Sequence, residues 1–393
     1  MKRTFLIAFW IMVCVPLGAQ TTQRDSVLAH ARYLKSIFKT DEAIEALSAL
    51  VRPEVFDEEI LSELADCHFQ SGDYESAAGT YFMLSARNPR NLQYLIRQMQ
   101  VYSRLKAYSQ SIEAGRCVLQ LDSIPAVMSF MGDSFRQMEE ADSALWYYRR
   151  SLAWRPMNAT VVSKTFDVLL RKEAYDEAIG LTDQYLSQDP DNEIIAPLNG
   201  LARFRKGDYD KALEVFQRQL DLGNETYPIH YYLGQSYWHT SRVYKADSEL
   251  KAAWQIDSSD VNLAYSIAAV EMELMLPFED YSKPWLDKAW EMSQPDYTLW
   301  SRIQQLYGQG YYQHEHDYKK AIGYYSEAYK NNPKLISALS TIGYCYELEK
   351  DYKRAQEWYE KYLKVADPDS RGYATVTDRL NHVKSELFME EGK

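Results

Sequence analysis

Small residues recur along this chain at a nearly fixed interval, and that interval limits the possible folds more than any other feature. Alanine or serine occurs at steps of 33 or 34 residues, and after one step of 75 it occurs twice more: Ala43, Ala77, Ser111, Ala144, Ala178, Ala212, Ala246, Ala321 and Ala355. A second series runs 12 residues earlier: Ala31, Ala65, Met99, Gly132, Phe166, Gly200, Gly234, Ala268 and Gly343. Two series with one period are typical of a repeat protein in which each unit packs against its neighbours.

Within one period the apolar residues predict two helices. In residues 58–89, Leu61, Leu64 and Ala65 fall on one helical face before a break at Gly72. Two antiparallel helices approach closely only where side chains are small, so each period is expected to be a helical hairpin. Prolines, which cannot continue a helix interior, close several units: Pro89, Pro156, Pro190, Pro333 and Pro368.

The order of residues within the period resembles the tetratricopeptide repeat family, whose unit carries Leu-Gly, Tyr, Ala, an aromatic residue and Pro. One unit shows Leu233, Gly234, Tyr237 and Ala246. A later unit shows a longer part of the pattern: Gly343, Tyr346, Tyr352, Ala355, Tyr359 and Pro368. The resemblance implies an all-α fold, a right-handed superhelical solenoid of about ten helix-turn-helix repeats.

The repeats are expected to occupy residues 20–368, followed by a C-terminal capping helix and tail over 369–393. A helix with one polar side would cover the apolar end of the last repeat. Its apolar side is predicted to consist of four residues: Val376, Leu380, Val383 and Leu387.

Three departures from the pattern carry further predictions. Insertions fall within 275–317, where Pro277 and Pro284 lengthen one loop and five extra residues lie in a second loop at 308–317. The unit containing Gly115 is expected to have a weakened second helix, because glycine costs about 1 kcal/mol of helix propensity.

Residues 1–19 are typical of a secretory signal peptide. Lys2 and Arg3 precede an apolar run over residues 5–15, and small residues lead to Ala19. That run is well short of the ~20 residues that span a membrane. We therefore expect cleavage after Ala19 and export from a bacterial cytoplasm, to the periplasm or otherwise to the medium or the outer membrane, with no stable membrane insertion afterwards.

Composition and charge exclude several classes of protein. With 46% hydrophobic and 25% charged residues the chain is not of a disordered type. The net charge of -12 argues against general affinity for nucleic acid. Cys67, Cys117 and Cys345 follow the signal peptide; an odd, widely spaced set is typical of small buried residues rather than of a disulfide scaffold.

Motifs for catalysis or cofactor binding are absent from the sequence, which has no Gly-Lys-Ser/Thr, Gly-x-Ser-x-Gly or His-Glu-x-x-His pattern. His314, Glu315, His316 and Asp317 form one cluster with metal-ligand character, but a zinc site needs a further protein ligand that is not nearby. We predict a non-enzymatic protein with no catalytic residues, cofactor or metal; an accessory enzyme that uses this cluster is a minor alternative.

In tetratricopeptide arrays the first helix of each unit lines a concave groove that binds peptides. Carrying that role onto aligned positions gives seven peptide-binding candidates: Arg104, Arg171, Phe204, Arg205, Tyr231, Gln235 and Trp238. Arginine beside exposed aromatic groups suits an acidic or carboxylate-bearing peptide with hydrophobic anchors. The alternative is that the aromatic residues pack against the next repeat and the arginines pair with carboxylates. The Lys and Asn clamp of the chaperone-tail-binding members is absent from the corresponding face.

These features predict a protein–protein interaction scaffold of the bacterial cell envelope that captures a protein segment in a concave groove. An acidic segment is one option for the partner, and self-association through an end of the solenoid is another. The alternative function is an envelope glycan-binding or assembly accessory protein that uses exposed aromatic residues.

Overall fold

The computed structural model describes residues 17–52, 54–293 and 297–391, and within those ranges the chain forms 21 α-helices and no β-strand. This confirms the all-α fold class. An isolated β-bridge joins Arg52 to Val55. Residues 1–16 lie outside the described part, so the signal peptide over residues 1–19 stays a prediction. No described helix is both long enough and apolar enough to cross a membrane.

The helices belong to two compact units, one ending at Ala174 and the other beginning at Tyr175. The described part of the first unit contains nine helices: α1 (Leu17–Ser36), α2 (Thr40–Ser48), α3 (Glu58–Ser71), α4 (Tyr74–Arg87), α5 (Leu92–Arg104), α6 (Tyr108–Leu121), α7 (Pro125–Gln137), α8 (Ala141–Trp154) and α9 (Ala159–Arg171). Each of them packs mainly on the helices adjacent in sequence, which is the contact pattern of a solenoid.

The described part of the second unit contains twelve helices, again packed in sequence order. They are α10 (Tyr175–Leu186), α11 (Ile195–Lys206), α12 (Tyr209–Asp221), α13 (Tyr227–His239), α14 (Val243–Ile256), α15 (Val261–Glu273), α16 (Ser282–Met292), α17 (Tyr297–Gln313), α18 (Tyr318–Asn331), α19 (Ser337–Leu348), α20 (Tyr352–Val365) and α21 (Arg371–Glu391). Taken in pairs along the chain, α1 to α20 correspond to ten repeats, with α21 left as a single last helix.

One residue with a left-handed backbone conformation follows the first helix of every pair. Glycine fills this position only after α3 and α11, at Gly72 and Gly207, each with φ of 88°. The other eight positions have φ between 54° and 61° and are not glycine: Phe38, Lys106, Glu139, Glu173, Ser241, Met275, His316 and Lys350. A non-glycine residue is strained there, so tertiary packing, rather than local preference, sets these turns.

Small residues on first helices allow large side chains from second helices to approach the backbone. A Cβ atom at Gly132 would lie 2.5 Å from the ring of Tyr148, and one at Gly343 would lie 2.6 Å from the ring of Tyr359. Both tyrosine rings are fully buried. The second periodic series therefore marks the closest approach of the two helices, as predicted.

The same pairing of a small residue with a large one explains Gly115, the glycine that was expected to weaken the second helix of its repeat. Gly115 lies opposite Met99, a large residue in the series of small ones, and a Cβ at Gly115 would meet the Met99 sulfur at 3.1 Å and Met131 at 2.8 Å. Helix α6 nevertheless runs for 14 residues, the same length as α4 and α8. The glycine thus leaves the length of α6 unchanged and makes room for two methionines.

The five extra residues within 275–317 lengthen a helix, so the prediction of a second loop is wrong. Helix α17 continues for 17 residues to Gln313. The loop between α15 and α16 sends Phe278 into the core, where its ring lies 5.1 Å from the Tyr311 ring. A Cβ at Gly310 would be 2.3 Å from Phe278. The two irregularities therefore compensate each other, since the loop covers the added turn of α17.

At the end of the second unit, α21 covers the last hairpin. Val376, Leu380 and Val383 are buried in one cluster with Tyr359 and Tyr362 of α20. The apolar side of the last helix is thus packed on α20, and its role as a cap stays a prediction.

The cysteines that follow the predicted signal peptide are all free thiols. Cys67 and Cys345 are buried and Cys117 is half-buried. Burial raises the pKa of Cys67 to about 11 and that of Cys345 to about 12. Both buried thiols are therefore protonated at neutral pH and poorly nucleophilic.

Candidate functional site

The seven candidate residues lie on first helices of both units. Arg104 and Arg171 are the last residues of α5 and α9 in the first unit. In the second unit, Phe204 and Arg205 lie near the end of α11 and the other three candidates lie on α13.

An open pocket of about 630 Å³, which we call the α13 pocket, contains three of the candidates in its wall: Tyr231, Gln235 and Trp238. Helices α15 and α17 complete it. The remaining lining residues are Tyr227, Pro228, Tyr232, His239, Asp260, Asn262, Tyr265, Ser266 and Arg302.

The spacing of residues on α13 explains why these side chains share one face. Positions 231, 235 and 238 differ by four and three residues, which is one side of a helix. The opposite side is buried and includes Ile229 and Leu233. Beside the aromatic face lies Gly234, where a Cβ would be 2.8 Å from Leu250 of α14. The close contact with α14 therefore fixes the direction in which the aromatic side faces.

Hydrogen bonds from α13 to the next first helix hold the pocket in shape. Gln235, only 7% exposed, donates to the Ser266 hydroxyl at 2.9 Å. The Trp238 indole N–H donates to Glu273 at 2.8 Å, and the Tyr227 hydroxyl donates to Asp260 at 2.6 Å. The pocket is therefore preorganised before any ligand enters, which reduces the entropic cost of binding.

Tyr231 offers the pocket an unused hydrogen-bond donor. Its ring stacks on that of Tyr227 at 5.7 Å. Its hydroxyl has no hydrogen-bond partner among the described residues. Burial, followed by the negative charge of Asp260, raises the pKa of Tyr231 to about 12, and the positive charges of Arg205 and Arg302 oppose that rise. The hydroxyl therefore keeps its proton at neutral pH and can donate it to a ligand.

Two guanidinium groups give one side of the pocket a positive charge. Arg302 of α17 lies over the Tyr265 ring at 4.4 Å, and Arg205 is close enough to act on the Tyr231 hydroxyl. Both are exposed, and neither forms an ion pair within the described residues. The carboxylates of Asp260 and Glu273 already accept hydrogen bonds from Tyr227 and Trp238, whereas both guanidinium groups keep their donors available for a ligand.

Sequence reasoning missed Tyr265 and Arg302. Tyr265 lies 34 residues after Tyr231 and could have been found by continuing the series. Arg302 follows the first of the two irregularities in residues 275–317, where the periodic series is interrupted, so the alignment did not identify its position.

Phe204 lies outside the wall of the α13 pocket. Its half-buried ring packs against Tyr209 at 5.4 Å, Tyr232 at 5.3 Å and His239 at 5.8 Å. These contacts join α11 to the following two helices, as the packing alternative described. Arg205, the next residue, is exposed.

The exposed arginines at the ends of first helices differ from the lysines beside them. Lys172 pairs with Asp142, and Lys206 pairs with Asp176 at 2.5 Å. Among the described residues, Arg104, Arg171 and Arg205 have no such carboxylate partner. They remain free to meet an acidic ligand.

Acidic residues on the inner face of the first helices serve the hairpins. The Tyr81 hydroxyl donates to Asp66. The Tyr148 hydroxyl donates to Asp133 at 2.7 Å, and Lys164 pairs with the same carboxylate at 2.6 Å. These positions, where the chaperone-tail-binding members carry their clamp, thus hold intramolecular bonds.

The cluster considered as a metal site lies at the turn between α17 and α18. His316 is the left-handed turn residue, and Asp317 caps α18 by accepting from the Lys320 amide at 3.1 Å. Across the described ranges, no group of three or more His, Cys, Asp or Glu residues is arranged to hold a metal ion.

The fold and the α13 pocket together define a helical-repeat scaffold of a kind consistent with protein–protein interaction. Models of the tetratricopeptide repeat match residues 28–91, 198–260 and 336–369. The chain therefore contains tetratricopeptide repeats, in both units. Proteins built from such repeats are generally non-enzymatic scaffolds.

Similar proteins share short segments or the fold. Human Superkiller complex protein 3 is 36% identical over 76 residues, which are 19% of this chain and 5% of that protein. A tetratricopeptide repeat protein from Parabacteroides merdae is 13% identical, with a TM-score of 0.42 over 63% of this chain and 98% of its own. The human IFIT1 dimer with m7Gppp-AAAA is 15% identical, with a TM-score of 0.40 over 87% of this chain and 90% of its own.

Proposed function

We propose that this chain is a non-enzymatic interaction scaffold of the bacterial cell envelope and that it captures a segment of another protein in the α13 pocket. The observation that carries the proposal is the preorganised aromatic wall of α13, with an unused tyrosine hydroxyl and two unpaired guanidinium groups beside it. Such a surface supplies contacts to a ligand rather than reacting groups.

The chemistry of the pocket indicates what the captured segment contains. An apolar or aromatic side chain fits between Tyr231, Trp238 and Tyr265, because aromatic walls stabilise such anchors. An acidic group next to that anchor would meet Arg205 and Arg302, whose planar guanidinium groups bind carboxylates with two hydrogen bonds. A backbone carbonyl of the segment can accept from the Tyr231 hydroxyl.

Capture from an envelope extract, with residues 20–393 as bait, tests this proposal. The double variant Arg205→Glu with Arg302→Glu should lose the partner, and the partner purified from wild-type capture should bind the variant at least tenfold more weakly. Lys319→Glu with Lys353→Glu is the matched control, because it changes the net charge equally at exposed positions on second helices α18 and α20. Equal binding by both double variants would reject the α13 pocket.

The first unit is tested separately by Arg104→Glu with Arg171→Glu. Loss of the partner in this variant alone would move the binding site to the first unit. If no protein is captured and the chain instead binds purified envelope polysaccharide, the glycan-binding function replaces the proposal.

The envelope location rests on residues 1–19 and has its own test. Expression of the full chain with its first 19 residues should give a periplasmic product whose N-terminal residue is Gln20. A cytoplasmic product that begins at Met1 would contradict export but would leave the interaction proposal intact.

A further inference from the structure

A second pocket lies on the first helices near the C-terminal end of the second unit. It has a volume of about 440 Å³ and lies between α17, α19 and the beginning of α21. We call it the α21 pocket. It shares no lining residue with the α13 pocket, so the inference below does not depend on the proposed function.

A nearly buried side chain in this pocket has a polar atom without a partner. Tyr362 of α20 is only 7% exposed, and its ring belongs to the core beneath α21. Its hydroxyl lines the pocket but makes no hydrogen bond to any described residue. The hydroxyl oxygen is not among the fully buried polar atoms that lack a partner, so it keeps some contact with solvent. The hydroxyl is therefore placed to donate to something that enters the pocket.

A glycine keeps that hydroxyl accessible. Gly372, the second residue of α21, lies directly above Tyr362, and a Cβ atom there would be 2.6 Å from the hydroxyl oxygen. Any other residue at this position would cover the hydroxyl or displace the tyrosine. The first turn of α21 is thus shaped around this polar atom.

The charges in the α21 pocket favour an anion. Its described lining contains Arg371 and Arg379 but no Asp or Glu. Arg379 lies over the Tyr344 ring at 3.9 Å and pairs with Glu347 at 3.3 Å. Arg371 is exposed and has no ion pair among the described residues. One positive charge therefore remains for a ligand, and the N-terminal end of α21 adds to it.

The rest of the wall is aromatic. The rings of Tyr312 and Tyr344 meet edge to face at 6.0 Å, and Val376 contributes an apolar floor. The hydroxyls of Ser340 and Thr341 donate to the Ser337 carbonyl, so neither proton is free for a ligand. The free donors thus include the Arg371 guanidinium group and the Tyr362 hydroxyl, both next to flat apolar surface.

We propose that the α21 pocket binds an aromatic carboxylate, with the carboxylate held by Arg371 and the Tyr362 hydroxyl and the ring of the ligand against Tyr312 and Tyr344. A guanidinium group binds a planar carboxylate through two parallel hydrogen bonds. The tyrosine hydroxyl donates a third bond.

Phenylacetate is the probe for this proposal, with phenylacetamide as its neutral counterpart of equal shape. Titration into residues 20–393, followed by calorimetry or ligand-observed NMR, should give a Kd on the order of 1 mM for phenylacetate, as expected for a ligand of this size. Phenylacetamide should bind at least tenfold more weakly. Equal affinity for the two compounds would overturn the proposal, and so would displacement of phenylacetate by an equal concentration of inorganic phosphate.

Three variants locate the bound probe. Arg371→Gln should weaken phenylacetate binding about tenfold while leaving phenylacetamide binding unchanged, and Tyr362→Phe should weaken phenylacetate binding about threefold. Gly372→Ala should also weaken binding, because it fills the space above the hydroxyl. The control is Gly323→Ala on α18, where an added Cβ meets nothing within 4 Å. Unchanged phenylacetate affinity in both Arg371→Gln and Tyr362→Phe would place the ligand elsewhere and reject the pocket.

Discussion

The hairpins α17–α18 and α19–α20 are neighbours in the second unit, yet they solve the same packing problem differently. In α19–α20, Gly343 receives the ring of Tyr359, whose hydroxyl donates to Glu347 at 2.6 Å. In α17–α18, Gly308 receives the ring of Tyr325. In addition, Gly310 receives the ring of Phe278, which lies outside the hairpin. The regular hairpin is closed by its own residues, whereas the longer one depends on a loop from the preceding repeat.

This difference shows how a repeat array absorbs an insertion. Five added residues extend α17 beyond the length that its partner helix can cover. The loop before α16, also longer than usual, supplies Phe278 to the exposed turn, where Gly310 leaves room for it. An insertion in one repeat is thus matched by an insertion in the repeat before it, and the core remains continuous.

The largest expected effect on stability comes from removing the ring of Phe278, which packs on α17 from the loop before α16. Phe278→Ala should lower the free energy of unfolding by about 4 kcal/mol, because it leaves a cavity at a fully buried site. Chemical denaturation measures the change, with Phe82→Ala at an exposed position as the control. A loss below about 1 kcal/mol would show that α17 does not depend on this loop.

A smaller loss is expected where a glycine receives its partner ring. Gly343→Ala should cost about 2 kcal/mol, because the added Cβ would lie 2.6 Å from a buried tyrosine ring. Gly323→Ala, in an open position on α18, should instead stabilise the protein by about 0.5 kcal/mol through helix propensity. Opposite signs in thermal or denaturant unfolding would confirm that packing, and not flexibility, explains Gly343. Equal effects would contradict it.

Periodicity predicted the hairpins and the positions of close approach, because both follow from packing that repeats with the chain. It did not predict the left-handed turns, since eight of the ten carry residues such as Glu139 and Lys350 rather than glycine. It could not predict that the insertion before His314 continues α17, because that helix depends on Phe278, far away in the sequence. The periodic residues thus predict the helical hairpins and their packing, but not the turns or the structure of the insertion.

The two pockets were harder to predict, because some of their residues lie outside the periodic series. Tyr231, Gln235 and Trp238 were found because one helix carries all three. Arg302 of the α13 pocket and Arg371 of the α21 pocket lie outside the regular series, so the alignment of repeats did not identify them. Each candidate site is therefore formed partly by residues of the periodic helices and partly by side chains from irregular parts of the chain.

The buried hydroxyl of the regular hairpin should contribute less than its ring. Tyr359→Phe should cost about 1.5 kcal/mol at pH 7, because a hydrogen bond to a carboxylate is lost while Glu347 keeps Arg379 as a partner. Burial, followed by the bond to Glu347, raises the pKa of Tyr359 far above its usual value near 10. Its stabilising effect is therefore complete below pH 10 and is lost as the pH rises above that value. The stability difference between wild type and variant should narrow between pH 9 and 11, and a constant difference would contradict the assignment.

The smallest effect on stability is expected for a surface ion pair that recurs from one repeat to the next. Asp176→Asn removes the partner of Lys206 between α10 and α11, where the lysine side chain is 45% exposed and the aspartate 82% exposed. Solvent screens such a pair and its side chains lose entropy on pairing, so the expected loss is only about 0.3 kcal/mol and should vanish in 1 M salt. Denaturation at low and high salt measures it, and a loss above 1 kcal/mol that persists in salt would show that the pair fixes the α10–α11 packing. A position that recurs with the repeat thus does not by itself contribute much to stability. Gly343 in the regular hairpin and Phe278 beside the longer one should each contribute more than the Asp176–Lys206 pair.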